Sequence, residues 1–267
     1  MEMLMSGSVV RVLAAPLVVL LAACATETVG PAAISPIAEV RAAGAAVVDA
    51  ATGRWEVTVT IGDAREEVTM YGTGAFDSRT GRSSLSLDLS GLAALAGGGD
   101  ALIPELAATA FEVIVVDDVT YLRSPLLAAF NGDGGWWSVE SADLGGLAGA
   151  GGLPAEGLVN PQQLLDLAQA VGEVAVEGQE SVRGVLTTRY RVALPPYAEF
   201  SSGEARLDLW IDDDGLPRRL AITEVGAAAE AQVSIVLELF DYGEPVSISP
   251  PPPEDVTPLG AGWGRPS

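Results

Sequence analysis

From Gly53 onward the chain changes rhythm. Trp55, Val57, Val59 and Ile61 fall at every second position, with Glu56, Thr58 and Thr60 between them. That is the period of a strand with one apolar and one polar face. Gly62-Asp63 starts a turn, and Val68–Phe76 and Ser84–Leu89 continue the meander, with Leu85, Leu87 and Leu89 alternating with Ser86 and Asp88. Ahead of this stretch, Ile37 to about Asp49 has a helical pattern, Ala-rich, with Ile37, Val40, Val47 and Val48 as its larger apolar residues. Ser35-Pro36 supplies its N-cap and first-turn proline.

Between Gly91 and Ala110 the alternation stops. Leu92, Leu95, Leu102, Ile103 and Leu106 suggest two short apolar helices divided by Gly97-Gly98-Gly99, with Ser90 or Asp100 as caps. Phe111–Ser124 reads as a hairpin turning at Asp117-Asp118, followed by a short helix near Pro125–Asn131 and a Trp136-Trp137 strand. Leu144–Leu153 is a Gly/Ala loop, and Asn160-Pro161 opens another helix whose apolar side includes Leu164, Leu165 and Val171. The last third is nearly all strand: Glu173–Glu177, Gly184–Leu194, Ala205–Asp212, Leu216–Val225 and Ala231–Tyr242. Pro250–Pro253 then closes the domain and cannot add a central strand.

This pattern predicts an α+β fold. About ten or eleven antiparallel strands form one curved half-barrel, with helices packed on its concave face. A sheet curled around helices leaves an apolar groove or cavity between the layers. Leu92, Leu95, Leu102, Ile103, Leu106 and Phe111 are the candidate lining of such a cavity; the alternative is that they fill a closed core. Trp136 and Trp137 are neighbours on a strand and point to opposite faces, so at most one of them can line it.

The N-terminus adds a tether. Arg11 precedes an apolar run, Val12–Leu21, that leads into Leu21-Ala22-Ala23-Cys24. An apolar stretch of about 7–15 residues before small residues marks a secretory signal, and a spanning helix needs roughly 20. With Leu21, Ala22 and Ala23 as a lipobox, Cys24 is the expected lipid attachment site. An ordinary secreted protein is the other reading. The layout is then a signal peptide at 1–23, a lipidated N-terminus and linker at 24–36, the half-barrel domain at 37–249, and a Pro-rich tail at 250–267. The expected location is the cell membrane, lipid-anchored on the extracytoplasmic face.

Composition narrows the chemistry. The chain has 267 residues and a net charge of −22, with 14 Lys or Arg against 36 Asp or Glu. Removing Glu2 and Arg11 with the signal leaves that charge unchanged. Such acidity argues against nucleic acid, which needs clustered cations. The chain has no His, one Cys, and Arg as its only cation. Ser-His-Asp and Cys-His nucleophile arrangements, Schiff-base lysines and His-ligated metals are therefore excluded. No cofactor and no catalytic residue is expected. Lack of Lys beside abundant Ala and Gly is the bias of a high-GC genome, as in actinobacteria. With no second Cys, stability must come from the core rather than from disulfides.

Three motifs are similar to those of a known group. They are Gln162-Gln163-Leu164-Leu165-Asp166-Leu167, Val182-Arg183-Gly184-Val185-Leu186-Thr187-Thr188-Arg189-Tyr190, and Leu207-Asp208-Leu209-Trp210-Ile211-Asp212-Asp213-Asp214-Gly215-Leu216-Pro217-Arg218-Arg219. With the lipobox, this order resembles the LppX/LprG-type lipoproteins of mycobacteria, whose fold is similar to that of the LolA/LolB carriers. The resemblance runs from about Ala33 to Pro253. It implies a half-barrel whose apolar cavity accepts acyl chains of lipids or glycolipids and ferries them across the envelope. It transfers no catalytic residue and no ligand contact.

Other chemistry is weaker. Asp212-Asp213-Asp214-Gly215 could open a calcium loop, but the closing Glu of such a loop is replaced by Thr223; a hairpin turn is the simpler reading. A glycosidase needs two carboxylates across a cleft, yet Glu56, Glu67 and Asp88 fall on the polar faces of strands. The expected partners are a lipid or glycolipid and the membrane. The alternative function is a non-enzymatic envelope assembly or stress-sensing module with a filled core.

Overall fold

The computed structural model describes residues 35–62, 67–91, 110–124, 135–140, 165, 173–193, 204–225 and 232–259. Helix α1 (Pro36–Ala50) precedes six strands: β1 (Thr52–Gly62), β2 (Glu67–Asp77), β3 (Arg82–Asp88), β4 (Ala110–Val116), β5 (Val119–Arg123) and β6 (Trp136–Glu140). Then come β7 (Val174–Val182), β8 (Val185–Ala193), β9 (Glu204–Asp212), β10 (Pro217–Val225), β11 (Gln232–Phe240) and β12 (Val256–Pro258). All twelve belong to one sheet, ordered β12-β6-β5-β4-β3-β2-β1-β11-β10-β9-β8-β7.

Two meanders meet in the middle of this sheet. β1 through β6 pair in chain order toward one edge, and β11 returns to pair with β1, so that β1 is central. Its alternation explains that position, because Trp55, Val57 and Val59 are almost wholly buried. Every pairing but one is antiparallel; β12 runs parallel to β6. The expected wholly antiparallel sheet of ten or eleven strands is thus a mixed sheet of twelve. The added strand lies at an edge, where proline is tolerated, and Leu259 N–H donates to Ser138 O at 2.7 Å.

The chain reaches that edge as a strap. Thr52 Oγ1 donates to Glu244 O at 2.8 Å, Arg54 Nη2 to Pro245 O at 3.1 Å, and Arg82 Nη1 to Ile248 O at 3.5 Å. Residues 244–248 are thereby held against the ends of β1 and β3.

Among the described residues α1 is the one full α-helix, so the expected set of helices on the sheet is seen only in part. α1 starts as its sequence suggests, with Pro36 in the first turn, although the Ser35 hydroxyl forms no cap bond. Val40, Ala43, Gly44 and Val47 are its buried side, and it packs on β1, β7 and β9. Leu165, the one described position of the Asn160-Pro161 segment, is helical and fully buried. The expected helices within 91–110 and near Pro125–Asn131 lie outside the described residues, as does the loop Leu144–Leu153.

Candidate functional site

Strand register gathers the apolar positions into three rows on one face of the sheet. In the first, Val174, Val192, Leu207, Ile222, Ile235, Val59 and Met70 lie side by side from β7 to β2. The second row runs Tyr190, Leu209, Leu220, Leu237, Val57, Gly72, Leu87 and Phe111. The third runs Leu239, Trp55, Gly74, Leu85, Val113, Leu122 and Trp137. This continuous apolar surface follows from period-2 patterning kept in register across the sheet.

β2 thins it locally. Gly72 and Gly74 take core-face positions, and the neighbouring side chains fill the space: a Cβ at Gly74 would lie 2.2 Å from Trp55 Cε2, and one at Gly72 2.8 Å from Val57 Cγ1. Trp55 therefore lies across β2, with the Phe76 ring stacked on it at 6.0 Å. Its Nε1–H is buried and meets no acceptor among the described residues.

Of the predicted cavity residues, Phe111 stands on this face, half-buried against the core. Leu92, Leu95, Leu102, Ile103 and Leu106 lie outside the described residues, as do the lipobox Leu21, Ala22 and Ala23 and the attachment residue Cys24. Trp136 and Trp137 are both buried on opposite faces of β6. Trp137 ends the third row, whereas Trp136 carries the Arg123 guanidinium 4.7 Å from its ring centre. Sequence reading missed Trp55, Gly72 and Gly74. The available signal was a pair of glycines at alternate positions of an otherwise regular strand, which marks close approach of a neighbour.

The opposite face is a lattice of ion pairs. Asp208 is only 3% exposed and meets Arg189 at 3.1 Å, Arg191 at 3.2 Å and Arg206 at 3.1 Å. Arg219 bridges Glu238 and Glu180, at 2.6 and 3.2 Å. The Trp210 indole N–H donates to Glu180 at 2.8 Å and, more than the nearby guanidiniums, holds that carboxyl below its ordinary range. Arg183 sits with positive φ in the two-residue turn between β7 and β8, as such hairpins require. From there it reaches Glu56 at 2.8 Å and lies 4.1 Å from the Phe240 ring centre. A cavity of about 440 Å³ beside it is lined by Val182, Val185, Leu239 and Phe240 together with Arg183, Arg218 and Asp241, so that an acyl chain there would desolvate three charged groups.

The three-aspartate segment is the turn between β9 and β10. Asp212 Oδ1 accepts from Asp214 N–H at 3.0 Å and Leu216 N–H at 2.9 Å, and its Oδ2 from Arg218 at 2.6 Å. The Asp212 carboxylate is thereby engaged in holding the turn. Among the described residues no group of three or more His, Cys, Asp or Glu is placed to hold a metal.

No protein-family model and no curated protein matches this sequence. Solved structures do. The chain is similar to lipoprotein LppX from Mycobacterium tuberculosis, at a TM-score of 0.50 and 15% identity over 80% of this chain and 97% of that one. It is also similar to LprF from Mycobacterium bovis, at 0.45 and 16% over 81% and 96%. A LolA-superfamily protein from Nitrosomonas europaea aligns at 0.32 and 7% over 78% and 93%. The fold is thus similar to that of LppX, an open and mostly β sheet. LppX is one of the LppX/LprG-type lipoproteins that the sequence motifs resemble.

Proposed function

We propose that this protein is a lipoprotein of the cell envelope, tethered through a lipid on Cys24, which takes the acyl chains of a lipid or glycolipid against the apolar face of its sheet and carries or presents them. The observation that carries the reading is the unbroken apolar face on an LppX-like fold. Binding is driven by enclosure, at about 0.8 kcal/mol for each CH₂ removed from water. Selection is by volume and by few polar contacts. No covalent step is involved: the chain lacks His and Lys, and on the opposite face Asp208, Glu238 and Asp212 are engaged in ion pairs. Two or three acyl chains on Cys24 hold the protein at the membrane, where one alone binds only weakly.

The test is native mass spectrometry with lipid extraction on the chain carrying Cys24→Ser, expressed in its own host. A defined extra mass that extracts as lipid is expected. A clean apo mass, with no uptake of offered lipids, overturns the reading. The tether is tested separately by fractionation, in which Cys24→Ser moves the protein from the membrane to the soluble fraction.

A second reading, a non-enzymatic assembly or stress-sensing module of the envelope, draws on the tight filling of the described part of the face. Trp55 occupies the space above Gly74, and Val57 and Leu87 the space above Gly72. An apo mass in the same experiment favours it.

A further inference from the structure

The cavity of about 440 Å³ beside the β7–β8 turn has no part in the lipid reading. Three charged side chains line it, and each is carried by an irregular stretch of backbone. The β9–β10 register shifts between Pro217 and Arg219, which makes Arg218 the extra residue of a bulge. Arg183 has φ 49° in the turn between β7 and β8, and Asp241 has φ 51° just after β11. Bulges re-aim a side chain, and left-handed backbone at residues other than glycine gathers where a site requires it.

Two of these side chains hold unspent polar atoms. Arg218 gives its Nε–H to Asp212 Oδ2 at 2.6 Å, and that carboxylate is itself fixed by the β9–β10 turn. The Arg218 Nη1 and Nη2 groups have no partner among the described residues. They are not sealed either, because the buried unpaired side-chain atoms there are Trp55 Nε1, Arg82 Nε and Arg189 Nε. What remains is the two-nitrogen edge of a held guanidinium, the shape that grips a carboxylate through two parallel bonds. Asp241 is 52% exposed, and its ion pair among the described residues is a long one, 3.7 Å to Arg54. Arg183 is spent on Glu56 and Glu238 at 2.8 and 3.3 Å. The rest of the wall is apolar and includes Val182, Val185 and the Phe240 ring.

This combination disfavours simpler ligands. A bare anion meets Asp241, a bare cation meets Arg218, and a hydrocarbon strips water from all three charges with nothing in return. We propose that the cavity binds the zwitterion of an α-amino acid with an apolar side chain, its carboxylate on Arg218, its ammonium on Asp241 and its side chain against Val185 and Phe240. The volume is at the low end of the roughly 300–1,000 Å³ of small-molecule sites, in keeping with a ligand of that size. The assignment does not depend on what the apolar face binds.

The test is calorimetric titration of the full chain carrying Cys24→Ser with L-leucine, with L-leucinamide, which lacks the carboxylate, and with isocaproate, which lacks the ammonium. Glycerophosphoethanolamine supplies both charges without the side chain. Leucine is expected to bind saturably and each of the other three about tenfold more weakly, the loss of one charge-assisted contact or of the apolar one. Asp241→Asn is the informative variant, because the residue is half exposed and asparagine accepts a positive φ, so the fold is kept. It should weaken leucine about tenfold and leave isocaproate no weaker. Absence of saturable leucine binding, leucinamide or isocaproate binding as well as leucine, or an unchanged leucine affinity in Asp241→Asn overturns the proposal. Glycerophosphoethanolamine binding as well as leucine overturns the amino-acid assignment in favour of a zwitterionic headgroup.

Discussion

The phenol of Tyr190 on β8 donates to the carboxylate of Glu39 on α1, joining residues 151 positions apart. Helix α1 is thereby pinned to β8, and it packs on β1, β7 and β9 as well. Tyr190→Phe keeps the ring and deletes the bond. The expected loss is about 1 kcal/mol, or roughly 2–4 °C in melting temperature for a domain of this size. A calorimetric midpoint equal to that of the unaltered protein would remove this bond from the list of stabilising contacts.

The same residue gives a pH dependence. Burial, reinforced by the bond to Glu39, pushes the Tyr190 phenol from 10.0 up to about 12. The folded state thus prefers the neutral phenol, and the unfolded chain ionises first as pH rises. The associated stability is present in full below pH 10 and is lost between about pH 10 and 12. Tyr242, raised by its own burial, acts in the same direction. Denaturant midpoints measured across this window should fall less steeply in Tyr190→Phe than in the unaltered protein; parallel curves would contradict the assignment.

Gly74→Ala should be costly for a different reason. Its new Cβ meets Trp55 ring carbons at 2.2 and 2.3 Å and the Ser84 carbonyl oxygen at 2.6 Å. One of those neighbours is backbone, so simple rotation of the indole cannot clear the clash. Overpacking of this kind costs about 1–3 kcal/mol. A shift in the tryptophan emission maximum should accompany it. Unchanged stability and emission would contradict the close packing of Trp55 over Gly74.

β1 and β9 were legible because each shows one apolar and one polar face, with a period of two from Trp55 to Ile61 and again from Leu207 to Ile211. α1 was legible from Ser35-Pro36 and its Ala-rich run. β12 was not: three residues, two of them Thr257 and Pro258, carry no periodicity, and their pairing with β6 is set by the strap that delivers them. The site was legible as an apolar face but not in its detail. Trp55 was counted as one more apolar residue, and whether its N–H finds an acceptor depends on strands far apart in the chain. Phe111 stands on the apolar face, packed against the core, and its five companions in the expected cavity lie outside the described residues.

Asp208 and Glu56 offer a graded test of the outer lattice. Both are carboxylates paired with arginine, but Asp208 has a side chain only 4% exposed and serves three guanidiniums, whereas Glu56 is 51% exposed and serves one. Among the described residues, Arg191 alone of the three has a further acid, Glu177 at 2.9 Å. Asp208→Asn therefore leaves Arg189, Arg191 and Arg206 crowded around a neutral amide. Removing one partner of a buried pair costs about 3–5 kcal/mol, and the partial exposure of these arginines reduces the expectation to about 2 kcal/mol. Glu56→Gln should cost no more than about 0.5 kcal/mol, as for other exposed pairs. Added salt separates the causes, because it screens repulsion among the arginines. Asp208→Asn should recover part of its lost stability between low and high ionic strength in urea titrations, with Glu56→Gln nearly unmoved. Equal losses in the two variants would show that burial of Asp208 adds nothing to the strength of its pairs.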